Sequence, residues 1–268
     1  MAVRSALINV MIGAVRKAAR ALIRDFGEVQ HLQVSKKGPA DFVSAADRHA
    51  EDILYNELRK VRPAYGLLME ERGVVEGTDT SNRWLIDPLD GTTNFLHGLP
   101  HFAISVALER DGNLIAGVVY EPIHDEMFWA EKGGGAYLND RRIRVSARRQ
   151  MDESIFATGI PLKGKSDHGV FLRQLGAVMS VSAGVRRFGA AALDLAYVAA
   201  GRYDGFWESG LHPWDVGAGI VLIREAGGYV TGIGGGRDPQ LGSDILAAND
   251  HLHRDLLSIV GTATDDGA

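Results

Sequence analysis

The sequence predicts an α/β protein built from stacked layers of helices and sheets. Apolar residues recur at helical spacing through residues 5–26, and short apolar runs separated by turn signals fill residues 101–145. In the second half of the chain, predicted helices and strands alternate without a βαβ rhythm or an internal repeat. Helices and strands mixed in this way favour layers of both kinds around a shared core.

The composition is that of an ordinary globular protein, and it excludes several kinds of site. The chain has 268 residues, 46% of them hydrophobic and 24% charged, which is enough for one large core or two closely packed subdomains. The net charge of −5 argues against a dedicated nucleic-acid binder, so no DNA partner is expected. Cysteine is absent, which excludes disulfides, thiolate nucleophiles and zinc held by sulfur. A metal would therefore be bound by oxygen or imidazole, as magnesium, calcium and manganese are.

The first segment is expected to form an amphipathic helix. Apolar side chains recur at helical spacing from Leu7 to Leu22, with basic residues close to them. Neither a long membrane-spanning stretch nor an A-x-A-like cleavage site is present in this segment. We therefore expect a cytoplasmic protein without a membrane partner.

The next segment, "KKGPADFVSAADRHAEDILYNELRK", predicts a loop that leads into a second helix. Ser44 and Asp47 form a Ser-x-x-Asp pattern, which is typical of a capping box at a helix start. The apolar run in "AYGLLMEERG" then predicts a short strand that ends at Glu70 and Glu71.

The stretch "NRWLIDPLDGTTNF", residues 82–95, concentrates unusual residues. Its apolar run at residues 84–86 predicts a buried strand, and Pro88 is expected to end that strand because proline has no N–H to donate. The "DGTTN" segment suits a tight turn or a helix start. Asp87 and Asp90 would then either cap a turn or, beside exposed backbone N–H groups, help to bind a cation and an anion.

The remaining pattern suggests two parts that share one site. Turn signals at close spacing predict an antiparallel meander over residues 101–145. We place an N-terminal subdomain at residues 1–145, with the helix pair, the meander and most of the candidate metal ligands. A C-terminal α/β subdomain at residues 146–268 would carry the substrate pocket and Asp215, and the two would form a single active site.

Five acidic residues are candidate functional groups, although each has a simpler explanation. Asp47 and Asp215 could cap helices, and Glu70 could lie in a solvated loop. Glu70, Asp87 and Asp215, however, each follow an apolar or aromatic run, as residues near the rim of a sheet do, and Asp90 lies close to Asp87. Clustered carboxylates would repel one another unless a divalent cation neutralised them, and magnesium prefers oxygen ligands. With a helix start for phosphate, the pattern indicates metal-assisted hydrolysis of a phosphate ester.

Two other motifs suggest different functions. "GIPLKGKS", residues 159–166, matches the P-loop pattern, but Pro161 removes one N–H group and "SDHG" is a poor helix start. The arginine-rich "NDRRIRVSARRQ", residues 139–150, is either a nucleic-acid patch or a solvated hairpin, and the acidic net charge favours the hairpin.

The motifs "WLIDPLDGTTNF" and "LHPWDVGAGIVLIREAGG" resemble the two signatures of the inositol monophosphatase family. The members of this family are magnesium-dependent, lithium-sensitive phosphatases. "MEE" and "KKGPADFVSAAD" match two further family segments, so the resemblance covers residues 5–260. The tract "RRFGAAALDLAYVAAGRYDGFWESGLHPWD" is especially similar to the bacterial inositol-1-monophosphatase branch, whose members are also described as extragenic suppressor proteins. The resemblance implies a layered α-β-α-β-α sandwich, usually assembled as a homodimer.

The resemblance also assigns site residues, with Mg²⁺ as the cofactor. It implies a first metal on Glu70, Asp87 and the Leu89 carbonyl, a second on Asp87, Asp90 and Asp215, and a looser third on Glu70. Substrate would be bound by the backbone of Gly91 and Thr92 at its phosphate, and by Asp90, Arg186, Gly189, Ala190, Ala191, Glu208 and Asp215 around its sugar alcohol.

The function implied by the resemblance is hydrolysis of myo-inositol 1-phosphate to inositol and phosphate. A metal-activated water would attack phosphorus in line, oriented by a relay of Thr92 and Asp47 and positioned through the metal on Glu70. Related phosphatases act on histidinol phosphate, phosphoadenosine phosphate or fructose bisphosphate, and these substrates stay open. A non-enzymatic role as an accessory factor of ribosomal RNA transcription, with a transcription-factor partner, is a further alternative.

Overall fold

The computed structural model describes residues 4–28, 34–38, 41–161, 168–236 and 244–265. The α-helices of these residues are α1 (Ala6–Gly27), α2 (Ala45–Val61), α3 (Thr92–Leu96), α4 (His168–Met179), α5 (Ala191–Ala199), α6 (Pro213–Glu225) and α7 (His253–Asp265), and a 3₁₀ helix spans Met151–Glu153. The strands are β1 (Val34–Gly38), β2 (Asp41–Ser44), β3 (Tyr65–Met69), β4 (Gly73–Val75), β5 (Asp79–Asp90), β6 (Ala103–Arg110), β7 (Asn113–Glu121), β8 (Glu126–Glu131), β9 (Gly135–Leu138), β10 (Arg141–Ile143), β11 (Ile155–Thr158), β12 (Gly184–Arg186), β13 (Gly205–Glu208), β14 (Tyr229–Thr231) and β15 (Ile245–Ala248).

The strands form a two-stranded hairpin and two larger sheets. The eight-stranded sheet has the order β10-β9-β8-β7-β6-β5-β3-β4, and the five-stranded sheet has the order β12-β11-β13-β15-β14. Helices α1 and α2 cover the outer face of the larger sheet, and α4 and α7 cover the outer face of the smaller one. Helices α5 and α6 lie between the two sheets. The layered α-β-α-β-α prediction is therefore confirmed.

Alternating side chains explain why both faces of each sheet are covered. In β6, Ile104 and Val106 join the core under α1 and α2, whereas Ala103 and Ala107 face α5 and α6. This follows from the two-residue period of a strand, which sends successive side chains to opposite faces. A strand that is apolar on both faces must be buried on both, so the sequence leads to a sandwich of layers.

A close contact fixes α6 of the second half on the large sheet of the first half. A Cβ atom at Gly117 in β7 would lie only 2.6 Å from the carbonyl oxygen of Ala218 in α6. Glycine is therefore required there for the helix to approach the strand. The predicted boundary between residues 145 and 146 falls just after β10, and the division into two subdomains stays a prediction.

Parallel strand pairs bring the ends of four elements to the edges where the site forms. Strands β3 and β5 are parallel, with Met69 beside Ile86, so Glu70 and Asp87 follow at neighbouring carboxyl ends. Strands β11 and β13 are also parallel, which places Gly159 and Glu208 together in the same way. Polar residues at such strand ends are available to a ligand.

Two local expectations met different outcomes. The antiparallel meander predicted after residue 101 is present as β6 to β10. The expectation that Pro88 ends its strand is wrong, because β5 continues to Asp90. The register shifts between Asp87 and Asp90, so the proline lies in an irregularity where no ladder hydrogen bond is needed from it. Among the helices of the described residues, none is both long and apolar enough to cross a bilayer.

Candidate active site

Four of the predicted acidic residues lie at the edge of the large sheet where α3 and α6 begin. Glu70 is the first residue after β3, Asp87 and Asp90 end β5, and Asp215 lies in the first turn of α6. Strand and helix ends position them, so their backbone is held by regular structure on one side. They line one cavity together.

Backbone N–H groups orient three of these carboxylates. Each of the three accepts a hydrogen bond from a main-chain donor, which limits the directions its oxygens can take. The bonds run from Leu89 N to Asp87 Oδ1 (2.9 Å), from Ala192 N to Asp90 Oδ2 (2.8 Å) and from His212 N to Asp215 Oδ2 (2.7 Å). Asp215 is thus both a helix-capping residue and a residue of the cavity.

Asp47 combines the capping role with a contact to the site. Its Oδ2 atom accepts hydrogen bonds from the Ser44 N–H at 2.8 Å and the Ser44 hydroxyl at 2.5 Å, which completes the predicted capping box of α2. Its Oδ1 atom lies 3.0 Å from the hydroxyl of Thr92, which is also 3.0 Å from the Leu89 carbonyl. The single hydroxyl proton can serve only one of these two acceptors at a time. Asp47 itself is buried and does not line the cavity.

A turn at Gly91 places Thr92 at the cavity wall. Gly91 adopts a left-handed conformation with φ of 89°, and a Cβ atom there would lie 3.1 Å from the His101 carbonyl oxygen. Both the backbone angle and the crowding favour glycine. The chain can therefore turn directly from Asp90 into the short helix α3.

The cavity has a volume of about 210 Å³ and is strongly acidic. It contains nearly all of the predicted ligand and substrate residues and several that the sequence did not single out. Its lining residues are Glu70, Asp87, Leu89, Asp90, Gly91, Thr92, Thr93, Asn94, Gly159, Ile160, Arg187, Gly189, Ala190, Ala191, Glu208, Leu211 and Asp215. Among these described residues, five carboxylates face one guanidinium, that of Arg187.

Burial and mutual repulsion make four of these carboxylates difficult to ionise. Burial, followed by the charge of Glu70, raises the pKa of Asp87 well above its usual range. Burial likewise raises the pKa of Asp90 to about 7 and that of Glu208 to about 8. For Asp215 burial is again the main cause, and the charges of Asp90 and Glu70 raise its pKa further. A cation in the cavity would relieve the repulsion and favour the ionised forms.

The donor atoms suit a hard divalent cation. Carboxylate oxygens and a carbonyl such as that of Leu89 are the ligands that magnesium prefers, and no cysteine competes for a softer metal. Within the part of the chain that the structure describes, no three acidic or histidine side chains are already gathered tightly enough to form a closed metal cage. The residues therefore fit a divalent cation by chemistry and by location.

The pocket wall beyond the acids differs from the sequence-based expectation at one arginine. Gly189, Ala190, Ala191 and Glu208 line the cavity, but Arg186 does not. The guanidinium of Arg186 is directed back toward the carbonyl of its own neighbour, Val185, at 3.1 Å. The next residue, Arg187, lines the cavity instead, as expected where successive side chains of extended backbone alternate.

Gly159 is a residue that sequence reasoning placed in a different motif. A Cβ atom at this position would lie 1.8 Å from the Oε1 atom of Glu208, so any side chain would displace that carboxylate. The P-loop pattern that begins at Gly159 extends over residues 162–166, which lie outside the described residues. The end of strand β11 was the signal that could have identified Gly159, because it predicts proximity to the end of a parallel neighbour.

Comparison with known proteins places this site in a family. The model of the inositol monophosphatase family matches residues 4–264. The chain is 58% identical over 257 residues to an inositol-1-monophosphatase of Mesorhizobium japonicum, covering 96% of this chain and 97% of the relative. It is 43% identical over 252 residues to Nus factor SuhB of Escherichia coli K12, covering 94% of each. The crystal structure of extragenic suppressor protein suhB from Bartonella henselae is 56% identical, with a TM-score of 0.93 over 96% of this chain and 98% of that one. The chain belongs to the inositol monophosphatase family.

Proposed function

We propose that the protein is a Mg²⁺-dependent phosphomonoesterase that hydrolyses myo-inositol 1-phosphate to inositol and phosphate. Phosphomonoesterase activity follows from the family, since close relatives are named inositol-1-monophosphatase. The observation that carries the finer proposal is the acidic cavity, in which a threonine hydroxyl beside a buried aspartate lies at the wall.

The cation would be held by the acids at the ends of β3, β5 and α6. The ligands we propose are Glu70, Asp87, the Leu89 carbonyl, Asp90 and Asp215. When bound, a divalent cation supplies Lewis acidity toward phosphoryl oxygens and lowers the pKa of water. The backbone N–H groups that hold Asp87, Asp90 and Asp215 keep these ligands oriented, as outer-shell partners do in metal sites.

Thr92 and Asp47 are proposed to orient and deprotonate the attacking water. The Thr92 hydroxyl can donate to Asp47 at 3.0 Å while its oxygen accepts a hydrogen bond from water in the cavity. Two hydrogen bonds from Ser44 hold the Asp47 carboxylate and partly offset the effect of its burial. The pair can thus take up a proton from the reacting water, with the partly exposed Thr92 at the cavity wall and Asp47 buried behind it.

The opposite wall is proposed to bind the alcohol part of the substrate. Gly189, Ala190 and Ala191 leave room for a ring, and Glu208 provides oxygens that accept hydrogen bonds from hydroxyl groups. Backbone N–H groups of Gly91 and Thr92 would bind the phosphate. Removing one hydroxyl of such a substrate leaves its partner unpaired, so a polyhydroxylated ring should be selected strongly.

Phosphate release from four esters tests this function. We expect myo-inositol 1-phosphate to be hydrolysed with a higher kcat/KM than histidinol phosphate, phosphoadenosine phosphate or fructose 1,6-bisphosphate. Chelation should stop turnover and magnesium should restore it. Undiminished turnover without divalent cations would contradict the cation proposal, whereas a different leading substrate would contradict only the inositol assignment.

A second candidate function is an accessory role in ribosomal RNA transcription. It is favoured by the relatives that are named Nus factor SuhB, including the one from Escherichia coli K12. The arginine-rich segment of residues 141–149 is exposed, with Arg148 paired to Asp204, and could contact a transcription factor. Affinity capture with Asp90→Asn as bait would separate the two functions, because transcription-factor binding should survive the loss of catalysis.

The homodimer and the cytoplasmic location are also proposals. Exposed apolar side chains such as Leu172 and Met179 on α4 and Phe188 beside the pocket would favour association. Sedimentation velocity should give about twice the monomer mass of 28.9 kDa, and a monomeric protein would contradict this assembly.

A further inference from the structure

A buried glutamate on α2 holds the turn that carries Glu70. The turn, at residues 70–72, connects β3 and β4. Glu51 lies under it, only 1% exposed, and its Oε2 atom accepts a hydrogen bond from the Glu71 N–H at 2.8 Å. The backbone N–H of Arg72 favours the ionised form of the same carboxylate. Two successive main-chain N–H groups of the turn thus interact with one side chain, one of them by a direct hydrogen bond.

The Arg72 side chain adds a second connection between the turn and α2. Its Nε atom lies 3.5 Å from Glu51 Oε1, and its guanidinium is paired with Asp52. The same guanidinium lies over the ring of Tyr55, 4.6 Å from its centroid. Tyr55 follows Glu51 and Asp52 by about one helical turn, so Arg72 is held against α2 at several points.

The other side of the turn is tied to the strand that carries Asp87. The Glu70 N–H donates to the carbonyl of Ile86 at 3.2 Å. Glu70 therefore sits between β5, which ends in the other proposed ligands, and α2. Asp47 lies in the first turn of α2 and Glu51 follows one turn later, so one helix positions both Asp47 and the Glu70 turn.

We propose that Glu51 is a positioning residue that holds the Glu70 carboxylate at the cavity through the backbone of Glu71, and so sets the affinity for the divalent cation. The inference rests on the proposed function, in which Glu70 is a cation ligand. Glu51 itself is not among the cavity residues. Burial raises the pKa of the Glu51 carboxyl to about 7, so burying this side chain in its ionised form costs free energy. A turn exposed to solvent could form without a buried carboxylate beneath it.

Calorimetric titration of the protein with Mg²⁺ tests the inference, with two neutralising substitutions compared. Glu51→Gln keeps the shape but replaces one of the two acceptor oxygens with an NH₂ group, so the side chain can no longer accept from the Glu71 N–H and face the Arg72 guanidinium with an oxygen at the same time. Asp52→Asn makes the same chemical change at the next residue, which is largely exposed and, among the described residues, pairs with the Arg72 side chain rather than with the backbone of the turn. We expect Glu51→Gln to raise the Kd for Mg²⁺ by about tenfold or more, as loss of an outer-shell partner does, and Asp52→Asn to change it less than about twofold. At saturating Mg²⁺, kcat of both variants should approach that of the native enzyme.

A folded Glu51→Gln protein that binds Mg²⁺ with native affinity would overturn the positioning role while leaving the proposed function in place. A native protein that does not bind Mg²⁺ would overturn both.

Hydrogen exchange of the native protein provides a measurement that does not depend on how the variant folds. The amide of Glu71, which donates to Glu51, should exchange much more slowly than that of Gly112 in the exposed β6–β7 turn. Equal exchange rates would show that Glu51 does not hold the turn, and would overturn the inference.

Discussion

Replacing Asp90 with asparagine is expected to stabilise the metal-free protein above neutral pH while abolishing phosphatase activity. In the metal-free state the Asp90 carboxyl shares a cavity with four other carboxyls, and burial raises its pKa from 3.8 to about 7. The folded state therefore binds this proton more tightly than the unfolded state does. Its stabilising contribution is complete below the unfolded pKa and is lost as the pH rises through 7.

The size of the effect follows from the rise in pKa. A rise of about three pKa units at ~1.4 kcal/mol per unit corresponds to about 4 kcal/mol once Asp90 is ionised. Water in the open cavity screens part of this cost, and asparagine gives up a charge-assisted hydrogen bond from Ala192, which costs about 1–2 kcal/mol. The net gain for the variant is thus about 1–2 kcal/mol, or an increase in Tm of about 2–6 °C.

Thermal unfolding in the presence of a chelator measures this difference across the pH range. The Tm advantage of Asp90→Asn should be largest near about pH 8 and should disappear toward about pH 4, where the native carboxyl is protonated. Asp152→Asn neutralises an exposed carboxylate and should leave Tm nearly unchanged at both pH values. Added Mg²⁺ should raise the Tm of the native protein by mass action but have little effect on Asp90→Asn. A variant that is less stable than the metal-free native protein at about pH 8 would refute the repulsion argument.

Four further substitutions test the relay, the pocket wall and the P-loop pattern. Thr92→Val removes the hydroxyl next to Asp47 and should lower kcat by about 10²-fold or more with little change in KM, so a kcat within about threefold of native would exclude the relay. Gly159→Ala should raise KM for myo-inositol 1-phosphate but leave KM for glycerol 2-phosphate unchanged, because the new methyl group displaces the Glu208 carboxylate. Glu208→Ala should have the same effect. An unchanged KM for myo-inositol 1-phosphate in both variants would show that Glu208 does not bind the substrate. Lys165→Ala should keep phosphatase activity within about twofold, and a large loss, or ATP hydrolysis by the native protein, would support the P-loop alternative.

The layers were predictable from the sequence because their cause is local. Strands β6 and β13 are apolar at successive positions, and this pattern requires cover on both faces. The meander followed from closely spaced turn signals. The exception in strand β5 shows the limit of such rules, because a proline ends a strand only where a ladder hydrogen bond is required. At Pro88 the register shift removes that requirement, and no local pattern announces the shift.

The pocket wall was less predictable than the acids, because it depends on which way single side chains point. Asp87 and Asp90 could be identified from a short motif with a strand on one side and a turn on the other. The choice between Arg186 and Arg187 depends on one step of alternation in extended backbone, which neither the composition nor the motif encodes. The end of a predicted strand could have drawn attention to Gly159, but its contact with Glu208 became evident only when β11 was found beside β13.

Helix capping and participation in the site are not exclusive explanations of an acidic residue, because one carboxylate can do both. Asp47 uses one oxygen to close the capping box of α2 and the other to contact Thr92. Asp215 accepts the His212 N–H at the start of α6 and still lines the cavity. A cap fixes the direction of a carboxylate, and a proposed ligand or base needs a fixed direction. A capping pattern at a strand or helix end therefore does not count against a functional role: in this fold it is the means by which the acid is held in place.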